Sequence, residues 1–238
     1  MKTKLALTLI VLVLPFAARA EGGAWQKDYD ALLKKYVSGG GVRYSAWKAN
    51  AADMAALEKV ISAVAAENPS SYPRNEKLAF YINAYNASIL SEALQKYPTK
   101  SVKDTLFTFF TAKRITVAGE KMSFNHLEKD IIRPLGEPRI HFALNCASRS
   151  CPPLRTEVYS GAKLDAQLDE QARGYVNGDH GVKVNGDTAQ LSKIFDWYKE
   201  DFGGDAGVSA FLKKHRKEKS DFKTVSYQDY DWGLNETK

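Results

Sequence analysis

The chain has 238 residues, with 34 Lys or Arg against 28 Asp or Glu and a formal net charge of +6. That length suits one large domain or two small ones, and no linker, low-complexity stretch or internal repeat divides it, so a single domain is expected. The positive balance does not indicate a nucleic-acid groove. Its densest run, Lys213-Lys214-His215-Arg216-Lys217-Glu218-Lys219, interleaves no aromatics and reads as a solvated helix C-terminus.

The first residues resemble a secretory signal. Lys2 and Lys4 precede an apolar stretch from Leu5 to Phe16, and Ala18-Arg19-Ala20 offers small residues at a cleavage site. The stretch is too short to span a bilayer, which takes about 20 apolar residues. The expectation is a signal peptide over 1–20 and a mature domain over 21–238, periplasmic or secreted, with no stable membrane insertion after cleavage. Lys2, Lys4 and Arg19 are three of the 34 basic residues, so the remainder carries only +3.

Hydrophobic periodicity gives the elements. Trp25 to Val37 sets Tyr29, Leu32, Leu33 and Tyr36 at helical spacing and ends before three glycines. Ala51 to Ala66 repeats the pattern with Leu57, Ile61 and Val64, and Asp53 is a candidate N-cap. Past the loop residues Asn68 to Pro73, a long helix is expected from Asn75 to about Lys96. It would bury Leu78, Ile82, Tyr85, Ile89 and Leu94 and stop at Pro98. Ser101 caps a short helix through Phe110. Arg114 to Ser123 reads as a hairpin turning at Gly119, and Phe124 to Ile132 as a helix closed before Pro134. Arg139 to Asn145 alternates as a strand, with Ile140, Phe142 and Leu144 on one face and Arg139, His141 and Asn145 on the other. Lys163 to Val176 is an amphipathic helix, and Gly181 to Leu191 a hairpin turning at Asn185-Gly186. Ser192 caps a helix to Phe202, Gly207 to Lys217 forms another, and Phe222 to Tyr227 a last strand. The class is α+β: a helix-rich N-terminal half packed on a small, mostly antiparallel sheet with short hairpins.

Chemistry concentrates between Arg139 and Pro153, where His141, Cys146 and Cys151 fall within eleven residues. In an oxidising compartment Cys146 and Cys151 are a disulfide candidate, which would fix loop shape and add only about 2 kcal/mol through chain entropy. The alternative is a reduced nucleophile whose pKa is lowered by Arg139, Arg149, Arg155 or His141. The spacing matches no zinc signature, so neither metal nor cofactor is expected. His141 shares its face with Arg139 and Asn145, polar groups that must be paired if buried. Asn83 and Asn86 lie three apart inside the long helix, where asparagine is a poor fit; they either face solvent or point inward to orient a loop or ligand. Glu128 and Arg133 are five apart and could each reach the following strand. Phe195, Tyr198 and Phe202 read as core, while Trp197 points elsewhere and could line a cleft.

Several separated blocks are similar to the domain-of-unknown-function 547 family. They are Ala79 to Asn86, Leu127-Glu128 with Ile131 to Arg133, and Arg139 to Ser148 with Ser150 to Leu154. Ser192 to Tyr198 with Asp201-Phe202, and Tyr230 to Trp232 with Leu234-Asn235, complete the set. The resemblance implies that Asn83, Asn86, Glu128, Arg133, His141, Cys146, Cys151 and the Tyr-Asp-Trp end share a site; it brings no activity with it. One departure is Lys129, where relatives carry a histidine, although His126 lies one helical turn earlier. The leading expectation is a cysteine-dependent hydrolase or acyl transferase. Cys146 would be nucleophile, His141 base, and Asn83 or Glu128 the orienting group. Asn86, Arg133, Arg139, Ser148, Cys151 and Trp197 would bind a small molecule, peptide or envelope component. The alternative is a non-catalytic binding module whose Cys146–Cys151 disulfide shapes a recognition loop.

Overall fold

The computed structural model describes residues 23–218 and 221–238, so the signal-like segment lies outside the described residues. Helix α1 (Ala24–Tyr36) buries the expected stripe. It turns through strands β1 (Val37–Ser38) and β2 (Gly41–Val42), where Gly39 and Gly40 take positive φ. A short helix that periodicity did not reveal, α2 (Tyr44–Ala49), follows, and its Trp47 stacks on Tyr36 at 4.6 Å. Helix α3 (Ala51–Ala66) has the expected bounds, but its cap is Asn50, whose Oδ1 accepts the Asp53 N–H at 3.1 Å. Asp53 instead receives Lys35 and the Tyr36 hydroxyl.

Helix α4 (Arg74–Lys96) is the axis of the fold. Fourteen of its 23 residues are buried, the expected stripe together with Asn83, Asn86 and Ser88 on flanking faces. A helix enclosed on most sides no longer shows a narrow apolar stripe. A 3-10 turn (Val102–Thr105) and α5 (Leu106–Phe109) lead to the hairpin of β3 (Ile115–Val117) and β4 (Glu120–Met122), which turns through Ala118-Gly119. The helix expected from Phe124 to Ile132 is only α6 (Phe124–His126) in its first turn. It then widens into a π-helical segment, Leu127–Ile132, and tightens into a 3-10 turn that contains Pro134. Such widened turns recur at functional sites.

Residues 139–145 are not a strand. Pro138–Phe142 form a 3-10 turn, with Pro138 in its first positions and the Glu137 carboxylate accepting the Arg139 N–H at 3.1 Å. The alternation has another cause: this segment is enclosed from two sides. Ile140, Ala143 and Leu144 enter the larger hydrophobic cluster around α1, α3 and α4. Phe142 enters a second cluster that includes helix α7 (Leu164–Val176).

That second cluster is completed by β5 (Val182–Asn185), β6 (Thr188–Leu191), α8 (Lys193–Trp197), α9 (Gly204–His215) and β7 (Thr224–Tyr227). The hairpin turns at Gly186-Asp187, one residue later than expected, with Asn185 opposite Thr188. Strand β7 joins parallel to β6. Ser192 caps α8, but the helix breaks at Tyr198 and continues as a 3-10 turn, Lys199–Phe202, stopped by Gly203 at φ 90°. The class is α+β, and among the described residues the strands form small sheets of two or three, every strand pair but β6–β7 antiparallel. Among the described residues, no helix is long and apolar enough to cross a membrane.

Candidate functional site

The cysteine loop is tied from below by asparagines. Asn86 on α4 donates to the Ala143 carbonyl and accepts the Asn145 N–H, both at 2.9 Å. Asn145 in turn donates to the Pro152 carbonyl and accepts the Ala147 N–H, both at 2.8 Å. From above, the C-terminal segment straps the loop: Arg149 N–H donates to the Gly233 carbonyl and Asn235 N–H to the Ala147 carbonyl. Held this way, buried Ala147 adopts φ 61° directly after Cys146, a left-handed conformation that costs a non-glycine residue about 1 kcal/mol.

Both cysteines are free thiols, Cys146 half-buried and Cys151 buried. The expected disulfide is therefore not what shapes the loop; the asparagines and the strap do that. The Cys146 sulfur lies 3.0 Å from the Ser148 hydroxyl and 3.3 Å from the Tyr230 hydroxyl, and its own N–H donates to Cys151 Sγ at 2.8 Å. Burial pushes the Cys146 thiol up. Hydrogen bonds from Cys151, Ser148, Tyr230 and the Ser148 backbone outweigh it and hold the thiol below its usual range. Burial and the neighbouring Cys146 push Cys151 well above it. The arginines expected to activate the thiol are engaged elsewhere. Arg139 binds Glu137, Asp165 and Asp169, Arg155 binds Glu157 and Glu170, and Arg149 sits 3.6 Å from Asp231.

The facing wall is a layered polar stack. Arg133 grips Asp201 with two 2.7 Å bonds, and Asp201 meets His141 Nε2 at 2.8 Å. His141 stacks under the Tyr198 ring at 3.8 Å, and the Tyr198 hydroxyl bonds Glu128. Burial pulls His141 down to about 4 against the pull of Asp201, so it is neutral at pH 7. Burial likewise raises Glu128, over the opposing Tyr198 hydrogen bond. The expected Cys–His pair is thus not assembled: His141 bonds Asp201, and Cys146 bonds Ser148 and Tyr230. Glu128 and Arg133 do not reach a following strand but converge on Tyr198 and Asp201.

Between the walls lies a cavity of about 420 Å³, lined by Cys146, Cys151, Glu128, His141, Tyr198 and Tyr230 with Tyr85, Phe110, Asn125, Trp197 and Trp232. Trp197 is 46% exposed and packs on Tyr230 and Trp232 at 4.8 and 5.8 Å, forming an aromatic rim. Among the described residues, no group of three or more His, Cys, Asp or Glu could hold a metal ion. Residues 69–176 match the family model described as "Protein of unknown function, DUF547". This segment is a DUF547 domain. No curated protein and no solved structure matches the chain.

The DUF547 segment supplies Glu128, Arg133, His141 and both cysteines, whereas Trp197, Tyr198, Asp201, Tyr230 and Trp232 come from beyond residue 176. Sequence reading takes Tyr198 for core and gives Asp201 no role, whereas Tyr230 belongs to the Tyr-Asp-Trp end that the family resemblance implies shares the site. Their signal was polar groups set among aromatics in the later blocks, and only the folded contacts give them roles. His126, considered as a substitute for the missing histidine, is exposed beside Asp130.

Asn83 does not reach the cavity. Its side chain donates to the Tyr159 carbonyl at 2.8 Å and accepts the Tyr159 N–H at 2.9 Å, in a second cleft of about 490 Å³. Both helix asparagines therefore point inward and hold loops, Asn83 at Tyr159 and Asn86 at the cysteine loop. Changing either to alanine orphans a buried N–H and a buried C=O and should cost about 2 kcal/mol, read from urea midpoints. Only Asn86→Ala should also alter Cys146 alkylation.

Proposed function

We propose that the cleft beside the DUF547 cysteine loop performs acyl transfer or hydrolysis through Cys146. The observation that supports this reading is the Cys146 sulfur facing a cavity with two hydroxyls within 3.3 Å and no disulfide partner. The thiolate attacks an acyl carbonyl, and the bond to the leaving group breaks to give a Cys146 thioester. Glu128, whose carboxyl burial raises above its ordinary range on the same cleft, gives the proton of its acid form to the leaving group. Water or another acceptor then attacks the thioester, its proton passes to the ionised Glu128, and Cys146 departs as thiolate. Neutral His141 acts through Tyr198, positioning Glu128 rather than deprotonating the thiol. The substrate is a small molecule, peptide or envelope component that fits the aromatic rim. The signal-like start points to a periplasmic or secreted site of action, and a mature protein sequenced from its N-terminus should begin at Glu21.

The test uses p-nitrophenyl acetate as an activated acyl donor at pH 6, where an unperturbed thiol of pKa about 8.5 is almost wholly protonated. Acid-quenched wild-type protein should carry an acetyl group on Cys146, formed faster than on free cysteine, and Cys146→Ser should carry none. Glu128→Gln should still acylate with this donor, whose leaving group needs no proton, but should slow with an alkyl thioester. Acetylation of wild type no faster than free cysteine would sink the reading and favour a binding module.

A further inference from the structure

The acyl reading uses one sulfur, yet two face the same cavity. Cys146 and Cys151 sit on one loop in unlike surroundings: Cys146 half-buried at the cleft wall beside the Ser148 and Tyr230 hydroxyls, Cys151 buried behind it. The Cys146 N–H donates to Cys151 Sγ at 2.8 Å. Since Cβ is only two bonds from that nitrogen, rotation about the Cys146 Cα–Cβ bond swings its sulfur toward Cys151. Cys151 Sγ also contacts the Leu144 carbonyl at 3.8 Å, and it hydrogen-bonds the Cys146 thiol and the Tyr230 hydroxyl, so the two sulfurs already lie side by side around one phenol. An accessible sulfur surrounded by donors, backed by a buried one within a rotamer's reach, is the layout of an attacking and a resolving thiol.

We propose that Cys146 and Cys151 act together in thiol–disulfide exchange with a small disulfide. The Cys146 thiolate attacks one sulfur of the substrate; that S–S bond breaks, one half leaves as a thiolate, and the other stays on Cys146 as a mixed disulfide. Cys151 loses its proton to water and attacks the Cys146 sulfur, expelling the second half. The substrate gains two electrons and becomes two thiols, and the protein gains a Cys146–Cys151 disulfide, which an external dithiol reduces by the reverse steps. The activity shares Cys146 with the acyl reading but needs no carbonyl chemistry.

The experiment treats the reduced full chain with oxidised glutathione at pH 7, quenches in acid and maps thiols by mass spectrometry. In wild type a glutathione adduct should rise on Cys146 and then fall, leaving both cysteines resistant to alkylation and both glutathione halves released. Cys151→Ser should stop at a stable adduct on Cys146, and Cys146→Ser should take up none. Should Cys151→Ser fail to fold, the rise and fall in wild type decides alone. A persistent wild-type adduct with Cys151 still alkylatable, or no reaction beyond the rate of free glutathione, overturns the proposal. The acyl reading is judged separately, by the acetyl adduct on the same reduced protein.

Discussion

Asn145→Ala should lower the unfolding free energy by about 4 kcal/mol, the largest effect expected of any single side chain at the site. Asn145 is buried, and its amide serves three partners: the Ala147 N–H, the Pro152 carbonyl and, at 3.4 Å, the Asn235 amide. Alanine leaves a buried donor and a buried acceptor unpaired, each costing about 1–3 kcal/mol, and opens a small void as well. The Ala147 conformation also loses its anchor, so residual folded protein should alkylate at Cys146 more like a free thiol. Urea unfolding reads the first effect and iodoacetamide rates the second. A loss under about 1 kcal/mol would show that the C-terminal strap alone suffices to hold the loop.

The second large effect is a loss of stability on acidification, on the order of 3 kcal/mol, traced to His141. In the unfolded chain His141 takes its proton near its ordinary value of 6.5, while in the folded protein burial delays this to about 4. Between those values the unfolded state binds more protons, so stability present above pH 6.5 drains away as pH falls toward 4. Asp201 and Arg133 face the ring from the other side of the stack. Glu128 works in the opposite sense, because its raised pKa lets the folded state protonate before the unfolded one. The His141→Gln variant isolates the histidine: its stability should decline much less between pH 6.5 and 4.5. Parallel declines in variant and wild type would assign the acid sensitivity to the carboxylates.

Much of the fold was legible because helices that bury one face announce it. The bounds of α3 and α7 fall within a residue of the periodic pattern, and α4 begins one residue early. Residues 139–145 misled because alternation identifies a strand only when one face meets solvent. Here Ile140 and Leu144 enter one cluster, Phe142 another, and Arg139, His141 and Asn145 find partners on three different elements. The better clue was Glu137-Pro138, a cap and a preset φ at the start of a tight turn. Around the cavity, residue type and grouping draw attention to the cysteines and Trp197, and the family resemblance to Glu128. Their partners were not legible. Nothing in local spacing says that His141 will meet Asp201 sixty residues on, or that Tyr230 will reach Cys146 across eighty-four.

That last span has a consequence for synthesis. A ribosome releases the cysteine loop long before residues 230–237, and N-terminal portions generally fold first. Until the terminal strap docks, Cys146 lacks the Tyr230 hydroxyl, and its loop lacks the backbone pairs to Gly233 and Asn235. The nascent thiol therefore keeps more of its ordinary, protonated character while the chain is incomplete. Docking of the last few residues completes the set of donors around Cys146, and a clipped polypeptide lacks part of that set.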